Sequence, residues 1–459
     1  MIPFQQKQIL GTVRHSIFAI INASSCSKAT ETRHVFNCQD FNRRGIKTGV
    51  IHDVKTTVAQ LKENVEMISN IKDLSKNGLT ERLEMPTELL QRLATLTKQR
   101  SNSQLEDLKL KYVRDSDNAR KFPRDTHDSP VGWTTSHVAQ IPTYSYGPSE
   151  TLAYLAYEID ANYATLYNAF RQLRNKDQDF QPSTMIDFGA GPGTASWVAK
   201  EFFNDSIQKY QIVEPSQAMT DAAQVLMEDF NGFSIRRSLD ELRSEVLLNI
   251  KYDFIVMNYV LSEVTNDFER VKIMSVLWEL LSENGYLVIV DRGSPWGSHQ
   301  VRSARQFILD SVNDSEDFSV RVVAPCPHNE KCPASKGTWC HFVQRSPVVL
   351  RPRDGTPRRW HGQKGSKFSY VVMKKGSLLS TSEAETNASL KASVARMIRG
   401  PLLTKRNVIL DLCTPQGVIE RRTVTKGTSL REVYRASRKA HWGAEWPNDP
   451  NTYREERKS

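Results

Sequence analysis

Asp187-Phe188-Gly189-Ala190-Gly191-Pro192-Gly193 follows the short apolar run Thr184-Met185-Ile186 and leads into a helical stretch, Ala195 to Phe203. Glycines at alternate positions remove side chains where a backbone must approach a ligand or take a positive φ. A second strand, Tyr210-Gln211-Ile212-Val213, ends at Glu214, 21 positions beyond Gly193. A carboxylate at that place can accept both hydroxyls of a ribose. Nicotinamide enzymes use a related device, but their G-x-G-x-x-G loop brings a pyrophosphate onto a helix N-terminus. Here the loop reads G-x-G-x-G and opens with Asp187, which suits S-adenosylmethionine, a cofactor without phosphate. The candidate cofactor-binding residues are therefore Asp187, Gly189, Gly191, Gly193 and Glu214. A nicotinamide dinucleotide and an empty, vestigial pocket are the alternatives.

Outward from this loop, strand and helix patterns alternate. Tyr252 to Met257 and Gly285 to Val290 read as strands, and Ser216 to Asp229 and Phe268 to Leu281 as helices. Alternation of this kind predicts a parallel sheet with right-handed crossovers. The expected class is α/β, a doubly wound, class I methyltransferase-like sheet over 176–315. A helical region over 31–175 precedes it, with apolar steps at Val54, Val58, Leu61, Val65 and Ile68 and again at Leu89, Leu90, Leu93 and Leu96. Glu150 to Leu173 reads as one long amphipathic helix. After it, 316–459 is expected to hold a cysteine cluster and a metal-stapled, basic C-terminal β-module, with strands at Phe318 to Val323, Lys367 to Met373, Asn407 to Cys413 and Val418 to Val424.

No catalytic residue stands out. Enzymes that methylate exocyclic amines of bases place Asn/Asp-Pro-Pro-aromatic after the fourth strand, where this chain has Asn258-Tyr259-Val260-Leu261. Cytosine C5 chemistry needs a cysteine nucleophile near that strand, yet Pro325-Cys326 comes after the fifth strand, inside a thiol-rich run.

That run is Cys326-Pro327-His328, Cys332-Pro333 and Trp339-Cys340-His341, with Cys413 following in the basic tail. Spacings of five and seven residues are not the C-x2-C knuckle of common zinc sites. Four thiolates flanked by prolines suit an iron–sulfur cluster; zinc held by three cysteines and His328 or His341, or four free thiols, remain open on spacing alone.

Charge and composition restrict the partners. The 459 residues are 39% hydrophobic and 25% charged, with no run of 18 apolar residues, so no membrane span is expected. Six cysteines in this length and no secretory h-region argue against a secreted disulfide scaffold. From His341 onward, 24 lysines and arginines face 10 acids, a net +14, which leaves −4 on the first 340 residues of a chain at +10. A basic tail on a near-neutral body marks a polyanion partner, most often nucleic acid. Arg351, Arg353, Arg358, Arg359, Lys364 and Lys367 are the densest patch, interleaved with Trp360 and Phe368, which are expected to stack on bases. No acid precedes Glu31, and Lys7, Arg14, Lys28 and several serines fill 1–30, the pattern of a mitochondrial presequence.

The loop from Asp187 to Gly193 combines with several further segments: Asp291-Arg292-Gly293-Ser294-Pro295-Trp296-Gly297, Ala324-Pro325-Cys326-Pro327-His328, Trp339-Cys340-His341-Phe342 and Lys367-Phe368-Ser369-Tyr370. With Asp411-Leu412-Cys413-Thr414-Pro415-Gln416-Gly417, Trp442-Gly443 and Trp446-Pro447, they resemble the methyltransferase-like protein 17 family of mitochondrial small-ribosomal-subunit assembly factors. The resemblance runs from about Tyr144 to Pro447. It implies a mitochondrial matrix protein that works as a monomer on the immature small subunit, docking between head and body against ribosomal RNA and ribosomal proteins and keeping the messenger channel closed. It implies a [4Fe–4S] cluster on Cys326, Cys332, Cys340 and Cys413, with His328 and His341 outside the ligand set. It also implies an S-adenosylmethionine fold that has lost methyl transfer; an active ribosomal-RNA methyltransferase is the alternative.

Overall fold

The computed structural model describes residues 83–98, 101, 103–105, 107–108, 110–111, 131–133, 144–313, 318–334, 338–347, 363–377 and 394–448. The leader over 1–30, the helical pattern from Val54 to Ile68 and the patch from Arg351 to Trp360 lie outside those residues.

A first helix, α1 (Thr87–Thr97), is followed by α2 (Pro148–Tyr157) and α3 (Ile159–Lys176). The alternating region then runs β1 (Thr184–Phe188), α4 (Thr194–Phe203), β2 (Lys209–Val213), α5 (Gln217–Leu226), β3 (Phe233–Arg236), α6 (Leu239–Leu247), β4 (Tyr252–Asn258), α7 (Asp267–Leu280), β5 (Leu281–Arg292), α8 (Pro295–Asn313) and β6 (Phe318–Ala324). Strands β7 (Phe342–Pro347) and β8 (Gln363–Ser377) complete the first sheet. Its order is β3-β2-β1-β4-β5-β8-β6, with β7 also on β8. The five strands from β3 to β5 are parallel, and β8 runs antiparallel to β5, β6 and β7. The expected doubly wound sheet is present.

Both faces of that sheet are covered, so its central strands carry unbroken apolar runs rather than alternating ones. In β4, Phe254 and Val256 enter one core while Ile255 and Met257 enter the other. In β5, Tyr286, Val288 and Val290 oppose Leu287 and Ile289. The same two-sided pattern explains β8: Phe368, Tyr370 and Val372 face one core, and Val371 and Met373 the other. The strands expected at 318–323 and 367–373 in the C-terminal module therefore both belong to the first sheet, where each buried apolar side chain gains roughly 1.5–3 kcal/mol by leaving water. Phe368 is wholly buried between Phe342 and Tyr370 and offers no face for a base, which corrects the stacking role expected of it. The segment read as one helix from Glu150 to Leu173 is two, separated by a single turn residue, Glu158, with φ stretched to −117°.

A second, antiparallel sheet holds β9 (Val394–Met397), β10 (Leu402–Leu403), β11 (Asn407–Cys413), β12 (Ile419–Thr425) and β13 (Glu445–Pro447), with α9 (Arg431–Lys439) after β12. The apolar core of this sheet lies on one face, where β11 places Val408, Leu410 and Leu412 with Val433 and Trp446; the opposite face is buried where Arg396, Cys413 and Glu445 lie.

Arg396 of β9 ties the second sheet to its surroundings. Its neighbours in register are Cys413 on β11 and Glu445 on β13. The buried guanidinium donates to Glu445 Oε1 at 2.9 Å, Gln172 Oε1 of α3 at 3.0 Å, Pro325 O at 2.9 Å and Gly443 O at 2.7 Å. Lys176 of α3 reaches the same Glu445 oxygen at 2.6 Å. Burial pushes the Glu445 carboxyl up, but Arg396 and Lys176 outweigh it and hold the group below its ordinary range. Removing Arg396 leaves Glu445 to Lys176 alone and takes away the donors to Gln172, Pro325 and Gly443, and breaking a buried pair in this way costs about 3 kcal/mol. Arg396→Ala is accordingly expected to lower unfolding free energy by about 3 kcal/mol, read as a fall in the urea midpoint at unchanged slope. A loss below about 1 kcal/mol contradicts the tie between the sheets.

Candidate functional site

Two sites emerge, one at the carboxyl ends of β1 and β2 and one where the two sheets meet.

At the first, Gly189, Gly191 and Gly193 all take positive φ, at 67°, 54° and 85°. The loop is also packed tightly. A Cβ on Gly189 would lie 2.2 Å from Val260 Cγ2, and one on Gly193 2.2 Å from Met227 Sδ, whereas Gly191 meets only Met219 Sδ at 3.9 Å. Glycine is thus demanded by packing at the ends of the loop, and by backbone conformation with open space at its middle. Glu214 spans the loop, its Oε2 accepting from Gly191 N and its Oε1 from Ser216 N, both at 2.9 Å. Burial raises the Glu214 carboxyl above its ordinary value despite those two bonds.

Asp187 ends β1 under the start of α4. Its Oδ2 accepts from Ser196 N at 3.0 Å and Ser196 Oγ at 2.9 Å. Its other oxygen, Oδ1, is buried with no hydrogen-bond partner. The five residues singled out in the sequence are brought together, and their donor set fits a phosphate-free nucleoside cofactor. Tyr146, on the segment before α2, lies over the same end of the sheet: its carbonyl accepts from Ser216 Oγ at 2.6 Å and its hydroxyl donates to Glu263 at 3.2 Å. Beyond β4, Tyr259 takes φ 61° and buried Asn258 Oδ1 has no partner. Positive φ in a bulky residue marks a position the surroundings over-determine.

At the second site, Cys326, Cys332, Cys340 and Cys413 line one cavity of about 70 Å³. The first three come from the loops between β6 and β7, the fourth from the end of β11 in the other sheet. None is in a disulfide. Burial, and then the neighbouring thiols, push Cys340 and Cys413 up. Among the described residues no three His, Cys, Asp or Glu converge as ligands of a single ion. A cavity for one water needs only about 10–15 Å³, so this one has room for a polyatomic group. Neither His328 nor His341 is part of its lining. His328 Nε2 instead lies 3.2 Å from Cys413 Sγ.

Arginines that sequence reasoning passed over surround the thiols. Arg302, Arg305 and Arg396 all line the cavity. Arg305 is 2% exposed and spends Nη2 on His328 O at 2.9 Å and Glu330 O at 2.8 Å, while its Nε and Nη1 are buried without partners. Two orphaned charged donors in an apolar cavity cost free energy unless an anion fills it. Four thiolates around iron and sulfide are such an anion, and the donor set fits it. The available signal was two arginines three apart on α8, among buried Val301, Ala304 and Ile308.

A family model described as mitochondrial small ribosomal subunit Rsm22 matches residues 148–447. The human ribosome assembly protein METTL17, mitochondrial, is 28% identical over 321 residues, which is 68% of this chain and 64% of that protein. This chain thus spans less than two thirds of the human relative. The Saccharomyces cerevisiae ribosome assembly protein RSM22, mitochondrial, is 19% identical over 426 residues, 66% of this chain and 68% of that one. Among solved structures, a putative RNA methyltransferase from Pyrococcus horikoshii covers 60% of this chain and 98% of its own at 13% identity, with a TM-score of 0.29, too slight a likeness to argue from.

Burial lifts the Asp187 carboxyl to about 7, despite the bonds from Ser196 and with a further push from Glu214. The folded state therefore holds this proton more tightly than the unfolded chain, whose aspartates titrate near 3.9, and the stability it contributes is lost as pH rises from about 4 to about 7. Asp187→Asn keeps an acceptor for Ser196 and cannot ionise. Its Tm relative to wild type is expected to rise across that window; parallel pH profiles contradict the burial of an ionisable proton here.

Proposed function

The chain belongs to the mitochondrial small ribosomal subunit Rsm22 family, and from that premise we propose that it is an assembly factor for the small ribosomal subunit in the mitochondrial matrix. The observation that carries this reading is the extent of the family match, 148–447, which takes in the glycine loop, the cysteine run and the whole second sheet. The partners are the immature subunit's RNA and ribosomal proteins, with the protein bound as a monomer between head and body. Among the described residues no helix is long and apolar enough to cross a membrane.

In this proposal Cys326, Cys332, Cys340 and Cys413 hold a [4Fe–4S] cluster. The cavity volume and the unpartnered Arg305 donors support a polynuclear anion over lone zinc. When bound, such a cluster supplies a rigid cross-link between distant segments and a group sensitive to oxidation. The chain's own residues do the rest. Cys413 brings the end of β11 to the loops around Cys326, Cys332 and Cys340, and Arg305 sets positive charge beside the thiols. Phosphate contact falls to the basic tail. Its described part offers Arg431, Arg435, Arg438 and Lys439 on the exposed face of α9, opposite buried Val433, Tyr434 and Ala436. Such contacts dominate nucleic-acid affinity and weaken steeply with salt.

Asp187, Gly189, Gly191, Gly193 and Glu214 are proposed to bind S-adenosylmethionine without methyl transfer, since Asn258-Tyr259-Val260-Leu261 after β4 is not the Asn/Asp-Pro-Pro-aromatic tetrad of base methylation. The second reading, an active ribosomal-RNA methyltransferase, is favoured by one observation, the unpartnered Asp187 Oδ1 beside an intact glycine loop. Cys332→Ser in the full chain is expected to lose iron and at least tenfold of its co-sedimentation with the small subunit. Full association by an iron-free variant overturns the proposal.

A further inference from the structure

Three aromatic rings pack together beside the cysteine cavity, two of them stacked and the third edge-on. The His341 imidazole lies 5.4 Å from the Trp339 indole with 21° between planes, and 4.7 Å from the Trp442 ring, edge-on at 65°. Each ring is fixed from behind. Trp339 Nε1 donates to Gly293 O at 3.0 Å, and the His341 Nδ1 atom lies 3.3 Å from Trp339 O. Gly443, at φ 85°, brings the backbone after Trp442 so close to Phe342 that a Cβ there would sit 3.0 Å from its ring. All three rings open onto a surface groove of about 810 Å³ whose rim carries Arg399 and Arg421.

Those two arginines share one carboxylate. Asp411 accepts from Arg421 Nε at 2.7 Å and Nη2 at 3.1 Å, and faces Arg399 Nη1 at 3.4 Å. One acid against two guanidiniums leaves net positive charge, and both arginine side chains are more than half exposed, at 54% and 60%. Each guanidinium has five donors, so several on each remain for a further acceptor.

We infer that this groove binds single-stranded RNA, with unpaired bases stacked on the Trp339–His341–Trp442 platform and the backbone phosphates held by Arg399 and Arg421. The inference rests on the assembly reading above and adds to it a place and a mode of contact. Bases of any identity offer a π-face, so such a platform tolerates sequence while a cationic rim tracks the phosphates. An apolar peptide would not call for the arginines, and the tail around them is at +14, which favours a polyanion. The groove also borders the cysteine cavity: Pro333, Thr338, Trp339, Ile398 and Ile419 line both. Whatever fills the cavity therefore supports the platform from beneath.

The test uses the full chain and a dye-labelled oligoadenylate of about twelve nucleotides, a length within reach of one such site. Anisotropy reads affinity over a salt series, and indole emission reads stacking. Wild type is expected to bind with quenched indole emission. His341→Ala removes the middle ring and is expected to weaken binding about tenfold at unchanged salt slope. Arg421→Gln, at an exposed position, is expected to weaken binding and to lower the salt slope by about one. Melting temperatures of both variants separate a lost platform from a lost fold. Equal affinities of both folded variants and wild type overturn the inference. So does absence of any wild-type binding, and so does equal binding of polyglutamate, which would assign the groove to acidic protein. The assembly reading fails on a different observation, wild-type chain that does not co-sediment with the small subunit.

Discussion

The Arg396–Glu445 pair is the constraint on which the C-terminal half depends. Strand β9 is four residues long and β13 three, too short to define their own positions by ladder bonds. A guanidinium has five donors in a fixed plane, and Arg396 spends them on α3, on the loop before Cys326, on the turn at Gly443 and on β13. One side chain thus fixes the second sheet against the first. Because Cys413 is its register neighbour, the same bonds bring that thiol to the cavity.

From this follows the division of the molecule. The first sheet carries a cofactor loop whose glycines are dictated by Val260 and Met227 as much as by any ligand. The second sheet carries cations on α9 and on the rim of the aromatic groove. Between them lies a cavity with thiols and orphaned guanidinium donors. In the proposed function the metal cluster at that junction holds the RNA-facing half in one orientation. Loss of the cluster then acts on RNA contact through Pro333, Thr338 and Trp339, which border the groove as well as the cavity.

The central sheet was legible because two-sided burial writes itself as unbroken apolar runs, as in Phe254 to Met257 and Tyr286 to Val290. The strand Phe368 to Met373 was legible as a strand but not as a member of that sheet, since pairing across more than seventy residues leaves no local mark. Its two-sided apolar pattern held the answer, because an apolar core on one face gives apolar residues at alternate positions, as Val408, Leu410 and Leu412 do. The break at Glu158 left no glycine or proline to read. In the candidate sites, the loop residues and the four cysteines were visible as motifs. Arg305 and Arg396 were not, because an arginine reads as surface until the structure places it at 2–3% exposure. The stacking of Trp339, His341 and Trp442 joins residues a hundred positions apart, which spacing cannot reveal.

The claim that most of this turns on is that one polynuclear centre joins the four thiols across the two sheets. Metal and acid-labile sulfide analysis of the full chain purified without oxygen tests it directly. The account predicts iron and sulfide in equal amounts, with a broad visible band from thiolate-to-iron charge transfer. A colourless chain holding zinc without sulfide, or no metal at all, contradicts it.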